Sequence, residues 1–371
     1  MLPPPDEGRS ALRCVAFHLP QFHPIPENDA WWGKGFTEWT NVASARPVVP
    51  GHHQPHLPAD LGFYDLRLPE SRAAQADLAR QYGVDAFCYY HYWFSGHRVL
   101  QWPVEEIVAS GQPDFPFCLC WANENWTRAW DGRSGQTLLE QHYSDADDLA
   151  HIRHLLPILA DRRYLRIAGR PVLLVYRTEL MPSPRRTADL WRSEAARAAI
   201  GDLYLVRVES FQGDIDPGSM GFDAALEFAP DWRRVPTSVL SRMRRLAAHL
   251  GLQARGYLEH RFADYGDLVA GMLAKAEPGY RRIRCVTPGF DNSPRRRKDA
   301  LIIGNSTPAA YGRWLKRVLE QEAARPLADD EKLVFVNAWN EWAEGNHLEP
   351  CQRWGRGYLE AHAEARRRTC V

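Results

Sequence analysis

The sequence lacks the marks of several large protein classes. No C-x-x-C spacing occurs among its seven cysteines, Cys14, Cys88, Cys118, Cys120, Cys285, Cys351 and Cys370. Zinc sites and thioredoxin-type redox chemistry are therefore not expected. Most of these cysteines lie in apolar runs such as Phe87-Cys88-Tyr89 and Phe117-Cys118-Leu119-Cys120, where cysteine behaves as a small buried hydrophobe. No apolar run approaches the roughly 20 residues of a membrane-spanning helix. Met1 to Ser10 is Pro-rich and acidic, without the apolar core of a signal peptide, so the expected location is the reduced cytoplasm. Net charge is missing too: 46 Lys+Arg balance 46 Asp+Glu. At whole-chain level there is no electrostatic footprint for nucleic acid or an anionic membrane. Lysine is scarce among the basic residues, an Arg bias to which no functional weight attaches.

What is present is globular composition: 371 residues, 45% hydrophobic and 25% charged. This excludes a disordered, collagen-like or simple coiled-coil chain and suits one elaborated α/β barrel or two domains. The 14 Trp, 14 Tyr and 14 Phe stand out, as do 27 Pro. Tryptophan is demanding in a core because its N–H needs a partner. Its excess fits flat platforms facing a ligand such as a sugar, or a core that is merely aromatic, and composition does not choose between them.

Eight short apolar or β-branched runs alternate with helical patterns. The strands are expected at Cys14–His18, Ala86–Tyr90, Phe117–Trp121, Val172–Tyr176, Tyr204–Val208, Ala224–Phe228, Arg284–Thr287 and Leu333–Asn337. Helices are expected over 69–82, 145–159, 187–199, 238–250, 265–276, 308–323 and 357–367, the first with Pro at its start and Gly83 at its end. That count suggests a (β/α)8 barrel with long βα loops. No Pro/Gly/Ser linker divides the chain, so the reading is a flexible tail over 1–12 and one catalytic domain over 13–365. A doubly wound sheet would want a Gly-rich turn after the first strand. Leu19-Pro20-Gln21-Phe22-His23 is no such turn.

Barrel enzymes carry their chemistry just past the C-terminal ends of the strands. Those positions hold, in strand order, His18, Gln21, Trp32, Glu38 and Trp39; His91, Tyr92 and Trp93; Asn123, Glu124 and Trp126; Tyr176; Glu209; Glu227; Asp291; and Asn337, Trp339 and Asn340, followed by Glu341 and Glu344. Carboxylates, amides and indoles on one rim suit a carbohydrate: polar edges bind hydroxyls and aromatic faces cover the ring. In Asn340-Glu341-Trp342-Ala343-Glu344-Gly345 the two Glu are three apart. A helical turn there would bring their Cβ atoms within ~5–6 Å. Retaining glycosidases hold their carboxyl pair about 5–5.5 Å apart, and two close carboxylates cannot both ionise easily. One proton donor and one base would result, against the plain alternative of two solvent-facing Glu.

Other features point less firmly. Asp214-x-Asp216 superficially matches the metal-binding pair of some nucleotide-sugar transferases but reads better as a turn. His52, His53 and His56 sit in a Pro-rich stretch that reads as a rigid loop rather than a metal site. Arg295-Arg296-Arg297-Lys298 reads as a solvated loop, or as a contact for phosphate or a polyanionic glycan. No metal or cofactor is expected.

Longer motifs carry a resemblance. Leu19-Pro20-Gln21-Phe22-His23-Pro24, Trp31-Trp32-Gly33-Lys34-Gly35-Phe36-Thr37-Glu38-Trp39, Phe87-Cys88-Tyr89-Tyr90-His91-Tyr92-Trp93-Phe94, Trp121-Ala122-Asn123-Glu124-Asn125-Trp126 and Asn337-Ala338-Trp339-Asn340-Glu341-Trp342-Ala343-Glu344-Gly345 resemble the WbsX-like family. That family is described as glycosyltransferase-like and grouped with glycoside hydrolase family 99-like proteins. The resemblance runs from about Val15 to Tyr358. Family 99 enzymes are (β/α)8 barrels acting as retaining endo-α-mannosidases, with a catalytic pair in an Asn-Glu-Trp-His-Glu-Gly type motif. The resemblance implies that Glu341 deprotonates a sugar 2-hydroxyl, that a 1,2-anhydro sugar forms, and that Glu344 protonates the leaving oxygen and then assists the acceptor. It implies an α-manno-configured substrate, mannose or rhamnose, in a surface polysaccharide or other glycan. Ala343 stands where family 99 has His, which alters subsite detail but leaves both Glu. The competing expectations are a glycosyltransferase of surface-polysaccharide assembly and a non-catalytic sugar-binding protein.

Overall fold

The computed structural model describes residues 12–128, 133–235 and 239–369. The expected N-terminal tail, apart from Leu12, lies outside the described residues, as do Cys370 and Ser238. Eight strands form the centre: β1 (Arg13–His18), β2 (Ala86–Phe94), β3 (Phe117–Trp121), β4 (Arg170–Val175), β5 (Tyr204–Glu209), β6 (Ala224–Glu227), β7 (Arg282–Val286) and β8 (Leu333–Val336). Each pairs in parallel with the next, and β8 pairs with β1 to close the ring. The fold is a (β/α)8 barrel. β2 runs on to Phe94 because its end pairs antiparallel with His97–Val99.

The outer helices are α1 (Pro69–Gln81), α2 (Trp102–Ser110), α3 (Asp145–Leu159), α4 (Pro184–Arg197), α5 (Val239–His249), α6 (Tyr265–Leu273), α7 (Pro308–Ala323) and α8 (Gly357–Arg367). Their ends follow from local chemistry. Ser144 caps α3 by accepting the Asp147 N–H, and three Asp in the first turn complement the helix dipole. Thr307 caps α7 ahead of Pro308. α2 has no counterpart in the expected helices, although Pro103 near its start and left-handed Gly111 at its end are ordinary boundary signals. Between β5 and β6 only the turn Pro217–Met220 stands in place of a helix. Asp216 accepts the Gly218 N–H there, which gives this member of the Asp214-x-Asp216 pair a local structural role.

Two features position the site. The connections flanking β7 add a three-stranded sheet of Arg261–Asp264, Leu301–Gly304 and Phe290–Asp291. Inside the barrel mouth, Phe17 stacks on Tyr90 at 5.3 Å and meets Phe335 and Phe228. The tryptophans divide between core and cleft. Trp121, Trp191, Trp314, Trp339 and Trp342 are fully buried, whereas Trp32, Trp126 and Trp232 line a cleft. Much of the tryptophan excess is therefore core. Cys14, Cys88, Cys118, Cys120 and Cys285 lie on barrel strands as buried free thiols.

Candidate active site

The chain leaves β8 and makes a small hairpin. Asn340–Glu341 pairs antiparallel with Asn346–His347 around the single turn Trp342–Glu344. Gly345 closes the turn at φ 54°, and a Cβ there would lie 3.1 Å from Asp291 Cβ. Both conformation and space call for glycine. The turn is braced from below by Glu349, which accepts hydrogen bonds from Trp342 Nε1 (2.6 Å), Gln75 Nε2 (2.7 Å) and the Tyr64 hydroxyl (2.9 Å). Asn340 clasps the turn to the end of β1, donating to Leu19 O and accepting from Leu19 N.

Glu341 and Glu344 then meet a third carboxylate and one cation. Arg295 donates through Nη2 to Glu341 (2.8 Å), through Nη1 to Glu344 (2.7 Å) and through Nε to Glu38 (2.7 Å). The expectation of a solvated arginine run is corrected at this residue. The tight turn after β7 carries Arg295 inward. Asp291 accepts the Ser293 N–H within that turn, and Asn292 accepts the Leu301 N–H across its base. Asp291 is itself gripped by His52 and Gln54, each at 2.6 Å. Burial opposes its charge, yet these hydrogen bonds hold its carboxyl below the usual range.

Burial dominates the electrostatics of the pair. It pushes Glu341 up to about 8, Arg295 opposing and Glu344 and Glu38 reinforcing the shift. Burial raises Glu344 as well, again against Arg295. Two carboxyls with raised pKa values held on one guanidinium do not titrate independently, and the titration belongs to the pair. The arrangement supplies a proton donor and a base within reach of one bound group near neutral pH.

The pair lies in a cleft of about 290 Å³. Tyr90, Tyr92, Trp126, Tyr176, Phe228, Trp232 and Trp32 give it aromatic walls, and Gln21, Asn28 and Glu124 give it polar edges. Trp126 begins a short hairpin with Arg133–Leu139 and is wedged edge-on against Tyr92 at 5.1 Å. Gln21 Nε2 and both polar side-chain atoms of Asn28 are buried without a hydrogen-bond partner among the described residues, which leaves them available to a ligand. Glu124 pairs with Arg177, and burial raises its carboxyl.

Of the candidate positions, Gln21, Trp32, Tyr92, Glu124, Trp126, Tyr176, Glu341 and Glu344 line this cleft, and Glu38 reaches it through Arg295. The others do not line it. His18 is buried against Gln75 at 3.2 Å, and burial lowers it to about 3. Trp39 donates to Tyr64 O and Trp93 to Asp147. His91 meets His151 Nε2 at 2.9 Å, stacked ring on ring. Asn123 ties the loops after β3 and β4 through Tyr143 and Arg177. Glu209 takes the Tyr280 hydroxyl, and Glu227 is locked between Lys275 and Arg284. Asp291 braces the Arg295 turn. Asn337 bonds Ala229 O, and Trp339 packs on Phe87. Strand-end position alone does not tell a rim residue from one turned into the wall. The sequence-based list missed Asn28, Tyr90, Phe228, Trp232 and Arg295. Arg295 carried a signal in the basic run after β7, and Tyr90 and Phe228 in closing their expected strands; Asn28 and Trp232 carried none.

Residues 14–362 match the family model described as Glycosyltransferase WbsX. Proteins named WxcX from two strains of Xanthomonas campestris pv. campestris are each 46% identical over 352 residues, covering 95% of this chain and 49% of theirs. The chain thus spans about half the length of these curated relatives. Among solved structures, a family 99 endo-α-mannosidase from Bacteroides thetaiotaomicron matches with TM-score 0.53 at 14% identity, over 96% of this chain and 98% of that one. A protein described as glycoside hydrolase-like matches with TM-score 0.58 at 16% identity, over 98% of this chain and 96% of that one. At these identities the likeness is one of fold.

Proposed function

The chain belongs to the WbsX glycosyltransferase family, and from that premise we propose that it processes glycans by retaining cleavage or transfer at an α-manno-configured sugar. The observation that carries this reading is the Glu341–Glu344 pair, a buried and a half-buried carboxyl bridged by Arg295 in an aromatic cleft. Glu341 takes the proton of the sugar 2-hydroxyl, and the 2-oxygen displaces the leaving group from the anomeric carbon. Glu344 gives its proton to the departing oxygen. The resulting 1,2-anhydro sugar opens when Glu344 draws a proton from water or an acceptor hydroxyl and Glu341 returns its proton to the 2-oxygen. In the free protein burial pushes Glu341 up to about 8. A sugar hydroxyl hydrogen-bonded to its charged form lowers it again and leaves the shared proton on Glu344.

The geometry of displacement requires the 2-oxygen trans to the leaving group, which selects mannose or rhamnose. Turnover of a panel of aryl α-glycosides, with D-mannoside, D-rhamnoside and L-rhamnoside included, tests the reading, retention being followed by product anomer. No turnover of any member, together with tight binding of a nucleotide sugar, would favour the second reading. That reading is a glycosyltransferase of surface-polysaccharide assembly, which the family's description supports.

Trp126 stands at the cleft wall. Replacing it with Ala is expected to raise KM about tenfold, with kcat much less affected, because a stacked aromatic face contributes roughly 1–2 kcal/mol to ground and transition states alike. A fall in kcat alone would contradict a binding role.

A further inference from the structure

Helix α5 turns an apolar face away from the barrel. Met243, Leu246 and Leu250 are 63%, 64% and 67% exposed, and Leu252 just beyond is 73% exposed. Spacings of three and four put the first three on one side of the helix. The opposite side is seated: Ala248 is buried in a small cluster with Val49 and Tyr257. Arg244 leans over the Tyr257 ring at 5.5 Å. Arg242 is exposed beside the apolar face and Arg245 is exposed farther round the helix, and among the described residues neither pairs with a carboxylate. From Val235 to Leu258 the sequence holds four Arg and no Asp or Glu. The zero net charge of the whole chain conceals this local cationic segment.

We propose that α5 is a docking helix for an anionic lipid surface. A convex helix with a Met/Leu face and arginines along its flank lies in the plane of such an interface, its apolar side chains among the acyl chains and its arginines at the head groups. A protein partner would have to cover an exposed helical ridge and supply carboxylates for arginines that no described residue of this chain matches. An anionic bilayer meets both needs over any area. Arg244 of the helix lines the groove that Gly345 of the Glu341–Glu344 turn also lines. On the glycan reading above, docking would select glycans carried at a lipid surface, a consequence that rests on that reading; the docking itself does not.

The test is flotation of the whole chain with vesicles of phosphatidylcholine alone or with phosphatidylglycerol, in the absence of glycan. The wild type is expected to float with the anionic vesicles only and to be released by salt. Met243→Ser/Leu246→Ser/Leu250→Ser is expected to weaken binding more than about tenfold by removing apolar contact. Arg242→Gln/Arg245→Gln is expected to weaken it about fivefold per arginine, roughly 25-fold together. All these side chains are exposed, so circular dichroism should be unchanged. Equal binding to neutral and anionic vesicles, or none, overturns the proposal. So does a dimer in solution that the triple substitution converts to monomer without any vesicle binding, which would assign the face to a second copy.

Discussion

Glu344→Gln is expected to lower kcat/KM by about 10²- to 10⁴-fold on glycosides with poor leaving groups, the range of general-acid catalysis. On an aryl glycoside with an activated leaving group the first step needs no proton, and the loss should be far smaller. Glu341→Gln should behave differently. Activation of the 2-hydroxyl is required whatever departs, so the loss should be large and nearly independent of the leaving group. Steady-state rates of both variants across a series of leaving-group pKa values separate the roles. Equal losses for Glu344→Gln at both ends of the series would sink its assignment as the acid. The experiment needs no change of fold, since Gln keeps the shape of Glu and can still accept from Arg295.

Much of the barrel was legible because each strand is a short apolar run with ordinary boundaries. Helix α3 begins and ends where its cap and acidic first turn place it. The legible part of the site was contiguous in the chain: Asn340 to Gly345 forms one turn, and two Glu three apart cannot separate widely. What was hidden depends on pairing across the chain. Glu38 and Glu344 are neighbours only because Arg295, carried on a turn after β7, reaches both. No local pattern distinguishes an arginine that turns inward from one in water. His18 and Trp39 illustrate the converse. His18 ends β1 and Trp39 follows it, at positions where a barrel carries its site, yet each spends its polar atom on the wall, His18 on Gln75 and Trp39 on Tyr64 O.

Arg295→Ala is expected to be the most damaging single substitution to stability at the site. Glu38 is fully buried and Glu341 only 6% exposed, at the cleft wall, so removing their common cation leaves carboxyls that water solvates poorly. Breaking a buried ion pair from one side costs about 3–5 kcal/mol. The pH dependence distinguishes this from lost packing. Arg295 holds down the pKa values of Glu341 and Glu344 against burial, so its loss raises them further. A carboxyl raised in the folded state contributes stability below its unfolded pKa and loses that contribution as pH rises through its folded pKa. The unfolded reference is 4.5 and the wild-type Glu341 value about 8, so the deficit of the variant should be small near the lower value and grow through and beyond the upper one. Denaturant unfolding of both proteins across that range reads it directly. Adding Glu38→Gln to Arg295→Ala should recover part of the loss, because one fewer charge is stranded. A deficit that is flat with pH and indifferent to Glu38→Gln would mean that Arg295 stabilises through contact area alone. The same charge logic sets the activity profile. The acid must hold its proton, and burial raises Glu344 as it does Glu341, so wild-type kcat/KM on a poor leaving group should fall at a pH above the ordinary carboxylate range. Whatever activity Arg295→Ala retains should fall only at higher pH.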